Sequence, residues 1–152
     1  MDAKIKDLIE QAQDRYLKSD ELDLLDGYVK SLPERLTLYK LLRDREIEIL
    51  QKVADRAEIE LSKTDTADIE SGIKNLILVM RYCAMGMLLN DENFLKQRLL
   101  RWLEQIMALK EMRQINDVLY KLLNQILRQE LSTHQLSLIQ PLITTAQVTL
   151  IY

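Results

Sequence analysis

Few residues in this chain have side chains suited to chemistry. One cysteine and one histidine occur in 152 residues. Cys83 lies inside residues 76–89, LILVMRYCAMGMLL. Apolar surroundings disfavour the thiolate that attack or ligation needs. Cys83 therefore reads as a small buried hydrophobe; the alternative is a displaced attachment point for a covalent group. His134 is third in Ser132-Thr133-His134-Gln135, a helix-capping pattern, which makes it a solvated first-turn residue. With no second histidine and no Glu-x-x-His pattern, the sequence supports neither a metal site nor an axial haem ligand. No Gly-rich phosphate loop is present, and no Ser or Cys nucleophile has a plausible His partner. The carboxylates sit at helix-surface positions, not as an isolated pair in apolar surroundings. The chain reads as a protein without enzymatic activity.

Arg81 is the charged residue that asks for a partner, because an unpaired charge within an apolar run is costly. It pairs within its own chain or reaches the surface, or else it pairs across an interface. Trp102, flanked by Arg98 and Arg101, is core packing by default and an interface anchor if exposed.

Helices must position these residues. Three Gly and two Pro leave little material for sheet turns, and Leu, Ile, Lys, Glu, Gln and Arg dominate. Residues 73–89 predict the central helix, apolar nearly all round and therefore buried. That run is shorter than the ~20 residues of a membrane span and carries Arg81. Amphipathic helices should wrap it. Residues 3–16 place Ile5, Leu8, Ile9, Ala12 and Tyr16 on one face. Ser19 looks like the N-cap of a helix to about residue 30, with Leu22, Leu25 and Val29 on one side. Ser31-Leu32-Pro33-Glu34 is a capping-box pattern opening a helix to about residue 61. Its inner face is Leu36, Tyr39, Leu42, Ile49, Val53 and Ala57, and its charged residues 43–48 face solvent. Thr64, Asp65 or Thr66 caps the central helix, and Asn90-Asp91-Glu92 forms a turn beyond it. Phe94, Leu95, Leu99, Trp102, Leu103 and Ile106 recur at helical spacing. A helix over residues 112–128 and a last one opened by Ser132 complete the chain; Met80, Met85, Met87, Met107 and Met112 are core filler. The expectation is one all-α domain over residues 1–152, a bundle or globin-like fold. A net charge of −3 with no basic stripe argues against nucleic-acid binding. One cysteine excludes an internal disulfide. The charged N-terminus lacks the apolar region of a signal peptide.

Two short motifs carry more information. Arg15-Tyr16-Leu17 followed by Glu21-Leu22-Asp23 resembles the opening of the phycobiliproteins, the light-harvesting proteins of the cyanobacterial phycobilisome. The stretch from Arg81-Tyr82 to Asn90-Asp91, and Ser132 before the last helix, are similar in order and spacing. The resemblance implies a globin-like phycobiliprotein fold with an N-terminal two-helix extension. Residues 1–30 would form the hairpin that docks on a partner, and residues 31–152 the core. It also implies where a linear tetrapyrrole would attach, through a Cys-x-Arg-Asp pattern on the central helix. The matching positions here are Gly72-Ile73-Lys74-Asn75. Gly72 has no thiol, and Asn75 cannot balance the charge of the protonated pyrrole nitrogens. Lys74 keeps a positive charge without a bidentate fork, and residues 45–72 are several residues shorter than the family's segment, which helps cover the pigment there. The resemblance thus implies a paralogue without covalent bilin and without cofactor.

In the family, the arginine equivalent to Arg81 pairs with an acidic residue of the partner's N-terminal helices. That position is Gln11 here, with Asp14 nearby. The candidate docking residues are Ile5, Leu8, Ile9, Ala12, Asp14, Arg15, Tyr16 and Arg81. The implied partner is a second copy, as a homodimer, or a phycobilisome or other photosynthetic protein. The expected place is the cytoplasm or the cytoplasmic face of the thylakoid membrane. The expected role is assembly, regulation or turnover of the antenna; the alternative is a carrier or sensor that holds a bilin or other tetrapyrrole non-covalently.

Overall fold

The computed structural model describes residues 2–106 and 112–151, with the side chains of 103–106 outside the description. The expected core roles of Leu103, Ile106 and Met107 lie outside the described residues. The helices are α1 (Ala3–Gln11), α2 (Ser19–Glu60), α3 (Thr66–Leu89), α4 (Glu92–Ile106), α5 (Arg113–Glu130) and α6 (Thr133–Ile151). Among the described residues, helix α3 packs against α2, α4, α5 and α6, whereas α1 packs on α2 alone. By length and composition α3 is able to cross a membrane. Here its Leu76, Val79, Met80, Cys83 and Met87 are buried within one core shared with α2, α4, α5 and α6.

The helix ends follow from capping. The Asp65 carboxylate accepts the Ala67 N–H at 3.0 Å and starts α3, one of the three caps expected there. Asn90 ends it in the left-handed conformation, φ 50°. Its N–H bonds the Met87 carbonyl at 3.1 Å, and the Asp91 N–H bonds Gly86 at 2.9 Å. Asp91 then caps α4 by accepting the Phe94 N–H at 3.0 Å. Ser132 and Gln135 exchange two hydrogen bonds, 3.0 and 3.1 Å, as the capping box predicts.

Four expectations about the first sixty residues are corrected. Helix α1 stops at Gln11, so Ala12 and Tyr16 leave its stripe. The N-cap of α2 is Lys18, whose N–H donates to the Glu21 carboxylate at 2.8 Å, and Ser19 is already helical. No break occurs at residues 30–31: α2 runs 42 residues through Pro33. The Ser31 hydroxyl donates to the Tyr28 carbonyl at 2.7 Å and accepts from Arg35 Nε at 3.0 Å, so it does not cap a new helix. Pro33 forfeits one N–H, and burial of Leu38, Leu42, Ile49, Leu50, Val53 and Ala57 further along holds the helix together. Leu36, expected inside, is 45% exposed, and Val148 in α6 is also exposed.

Candidate functional site

Gly72 faces α5 from the buried side of α3. A β-carbon there would meet Leu119 Cδ1 at 2.8 Å, Ile115 Cγ2 at 3.1 Å and Met112 Cε at 3.5 Å. Leu119 is fully buried, so its methyl has little room to give. The position that the resemblance assigns to a thioether is occupied by the packing of α3 on α5. Asn75 is half-buried and Lys74 exposed. Gly72 and Asn75 line a minute cavity with Trp102, Asn116 and Tyr120. Among the described residues the Tyr120 hydroxyl, buried there, has no hydrogen-bond partner, and burial pushes its pKa up, as does the nearby Cys83. Cys83 is 1% exposed, and desolvation pushes its thiol up as well, the opposite of an activated nucleophile. Trp102 is half-buried against the core. Among the described residues no three His, Cys, Asp or Glu side chains gather to hold a metal.

A groove of about 460 Å³ lies between the end of α2 and the start of α3, bordered by Glu58, Leu61, Ile69, Glu70, Ile73 and Lys74. A second, about 310 Å³, lies between α2 and α3 at Tyr39, Glu46, Met80 and Arg81. Arg81 reaches the surface of α3 and forks onto Glu46 of α2, Nε to Oε1 at 2.8 Å and Nη2 to Oε2 at 3.0 Å. The carboxylate raises the guanidinium pKa. Glu46 is a partner that sequence reasoning missed: it stood among residues read as a solvated face, and a pair 35 residues apart leaves no periodic signal. Arg45, the residue before it, turns instead to α5 and joins Lys52 at Glu130.

The two family-like motifs meet at the elbow between α1 and α2. Arg15 donates from Nη1 and Nη2 to the two Glu21 oxygens at 2.8 and 2.9 Å, and from Nη2 to Gln11 Oε1 at 2.6 Å. This bidentate clamp explains the six-residue spacing of Arg15 and Glu21. Arg15 foremost, through its hydrogen bonds, and then the Lys18 N–H draw the Glu21 carboxyl down to about 2. Of the other candidate docking residues, Ile5 and Leu8 are buried inside the chain, while Ile9, Ala12, Asp14 and Tyr16 are exposed, Tyr16 at 96%. His134 is exposed and meets Glu34 of α2.

Comparison with known proteins adds one match. Residues 8–146 match the phycobilisome protein family. A comparison with curated proteins gives no match. The matched span runs from the middle of α1 to near the end of α6 and takes in the Arg15–Glu21 clamp, the central helix and its Asn90 cap. With an all-α, globin-like fold and a family match across nearly its whole length, the chain belongs to the phycobilisome protein family.

Proposed function

We propose that this chain is a non-enzymatic interaction protein of the phycobilisome that carries no covalent bilin. The observation that carries the reading is the 2.8 Å approach a β-carbon at Gly72 would make to Leu119. Neither the thiol nor the space for it is provided. Asn75 in place of a carboxylate supports the same reading, since an amide cannot pair with a protonated tetrapyrrole. What is left to such a fold is recognition by helix faces. The segment 1–30 is the docking element, its open surface Ile9, Ala12, Asp14 and Tyr16, with Arg81 at the edge of the α2–α3 groove. Its partner is a second copy or another phycobilisome protein, and its role is in assembly, regulation or turnover of the antenna at the cytoplasmic face of the thylakoid. Co-sedimentation of the purified chain with isolated phycobilisomes tests this. Binding is expected, and Ile9→Asp with Tyr16→Asp, both on exposed residues, should remove it. Failure to co-sediment, or binding indifferent to both substitutions, overturns the surface assignment.

One observation favours the second reading, a non-covalent tetrapyrrole carrier or sensor. The 460 Å³ groove beside Lys74 falls within the size of small-molecule pockets. Its Glu58 and Glu70 oppose the propionates such a pigment carries. A visible band that co-elutes with the native chain and is lost on denaturation would select this reading over the first.

A further inference from the structure

Asn116 and Tyr120 stand one turn apart on α5 and share a face. Both are buried, Asn116 at 8% exposed and Tyr120 at 2%. That face borders the minute cavity beside Gly72, to which four helices contribute. Asn75 and Val79 come from α3, Trp102 from α4, Asn116 and Tyr120 from α5, and Leu150 from α6.

Two features of this wall do not suit a dry core. Tyrosine and cysteine aside, Asn116 is the one polar residue buried among the described residues. The Tyr120 hydroxyl, within the same wall, has no hydrogen-bond partner among them. An unpaired hydroxyl forfeits the bond that solvent gives it in the unfolded chain, and native cores seldom tolerate that loss. Burial keeps the hydroxyl protonated, so it has one hydrogen bond to donate and lone pairs to receive others. Partners of the right kind surround it. The amides of Asn75 and Asn116 each donate and accept, and the Trp102 indole N–H donates. None of them bonds the hydroxyl directly. A molecule seated between them would complete the set.

The room decides which molecule. The centre of a water-sized sphere has about 10 Å³ to move in, enough for one water and nothing larger. A cavity lined by hydrocarbon alone would stay dry, whereas a buried water makes about three hydrogen bonds to otherwise unsatisfied groups. Tyr120, Asn116 and Asn75 supply that number.

We propose that a single internal water binds at this point, accepting from the Tyr120 hydroxyl and bridging it to the side-chain amides of Asn116 and Asn75. The bridge ties α5 to α3 at the level of Gly72. It goes beyond the docking role proposed above and does not depend on it.

A crystal structure of the full chain at near-atomic resolution tests the site directly. Density for one water is expected within hydrogen-bond distance of Tyr120 Oη and of at least one of the two amides. No density there, or Tyr120 Oη bonded directly to a protein atom, overturns the proposal. Thermal melting gives a second reading, in which the sign decides. With the bridge in place, Tyr120→Phe leaves the water and the amides short of a partner. The melting temperature should then fall by about 2–6 °C with an unchanged circular-dichroism spectrum. Without the bridge, the same variant removes a desolvated, unpaired group and gains stability. A Tyr120→Phe chain that melts as high as the wild type, or higher, overturns the proposal.

Discussion

Gly72 and Leu119 stand so close that a single added carbon on one would lie 2.8 Å from the other. Gly72→Ala would gain roughly 1 kcal/mol of helix propensity. Gly72→Cys adds a sulfur beyond that carbon and meets the ~1–3 kcal/mol cost of overpacking. We expect Gly72→Cys to destabilise the chain by about 2 kcal/mol in urea unfolding. Leu119→Ala alone should cost ~2–5 kcal/mol through its cavity. The double variant should lose at least about 1 kcal/mol less than the sum of the two singles. Strict additivity would mean that α3 and α5 do not meet at this point.

The Arg15–Glu21 clamp should make the elbow acid-sensitive. The Glu21 carboxyl lies at about 2 in the folded chain against an ordinary 4.5. Its folded value is depressed, so its contribution is present above the unfolded value and fades as pH falls from 4.5 toward 2. Carboxyl NMR of Glu21 should report a titration midpoint well below that of a free glutamate. Arg15→Ala should return it to the ordinary range. A normal Glu21 midpoint in the wild type would contradict the clamp.

Asn90 occupies a left-handed position that glycine fills without strain. Asn90→Val should destabilise by about 1–2 kcal/mol. Asn90→Gly should be nearly neutral, since it relieves the backbone but loses the 2.7 Å bond from Asn90 Nδ2 to Asp2. At roughly 2–4 °C per kcal/mol for a chain of this size, a calorimetric melt separates the two. Equal melting temperatures for the valine and glycine variants would refute the assigned conformation.

Arg81 and Glu46 form an exposed pair, with Arg81 62% accessible at its side chain. Such pairs contribute little to stability. Arg81→Ala should therefore leave the melting temperature unchanged while weakening co-sedimentation with phycobilisomes. A variant that melts lower yet binds normally would make Arg81 a structural residue alone.

Much of the helical order is legible in the sequence because the signals are local. A continuous apolar run marks α3 and apolar periodicity marks α5, and Asp65, Asn90 and the Ser132–Gln135 box mark ends whose bonds span only a few residues. The misreadings occur where a local pattern meets a longer-range contact. Ser31-Leu32-Pro33-Glu34 has capping-box letters, but Arg35 reaches from it to the Met87 carbonyl at 2.6 Å and ties an uninterrupted α2 to α3. Leu36 reads as inward from the letters because apolar residues on both faces of a helix give one periodicity. The expected α1 face runs past Gln11 because the turn is fixed by Arg15 gripping Glu21 from outside the helix. At position 72 the loss of the thiol is visible in the letters; the filling of its space by Leu119 and Ile115 is not, since these residues are distant in sequence and meet only in the fold.

The measurement that reaches the central claim most directly is the intact mass of the chain after co-expression with bilin-making and bilin-attaching enzymes. The account predicts the mass of the bare polypeptide. A mass increased by one bilin, on Cys83 or elsewhere, would contradict it.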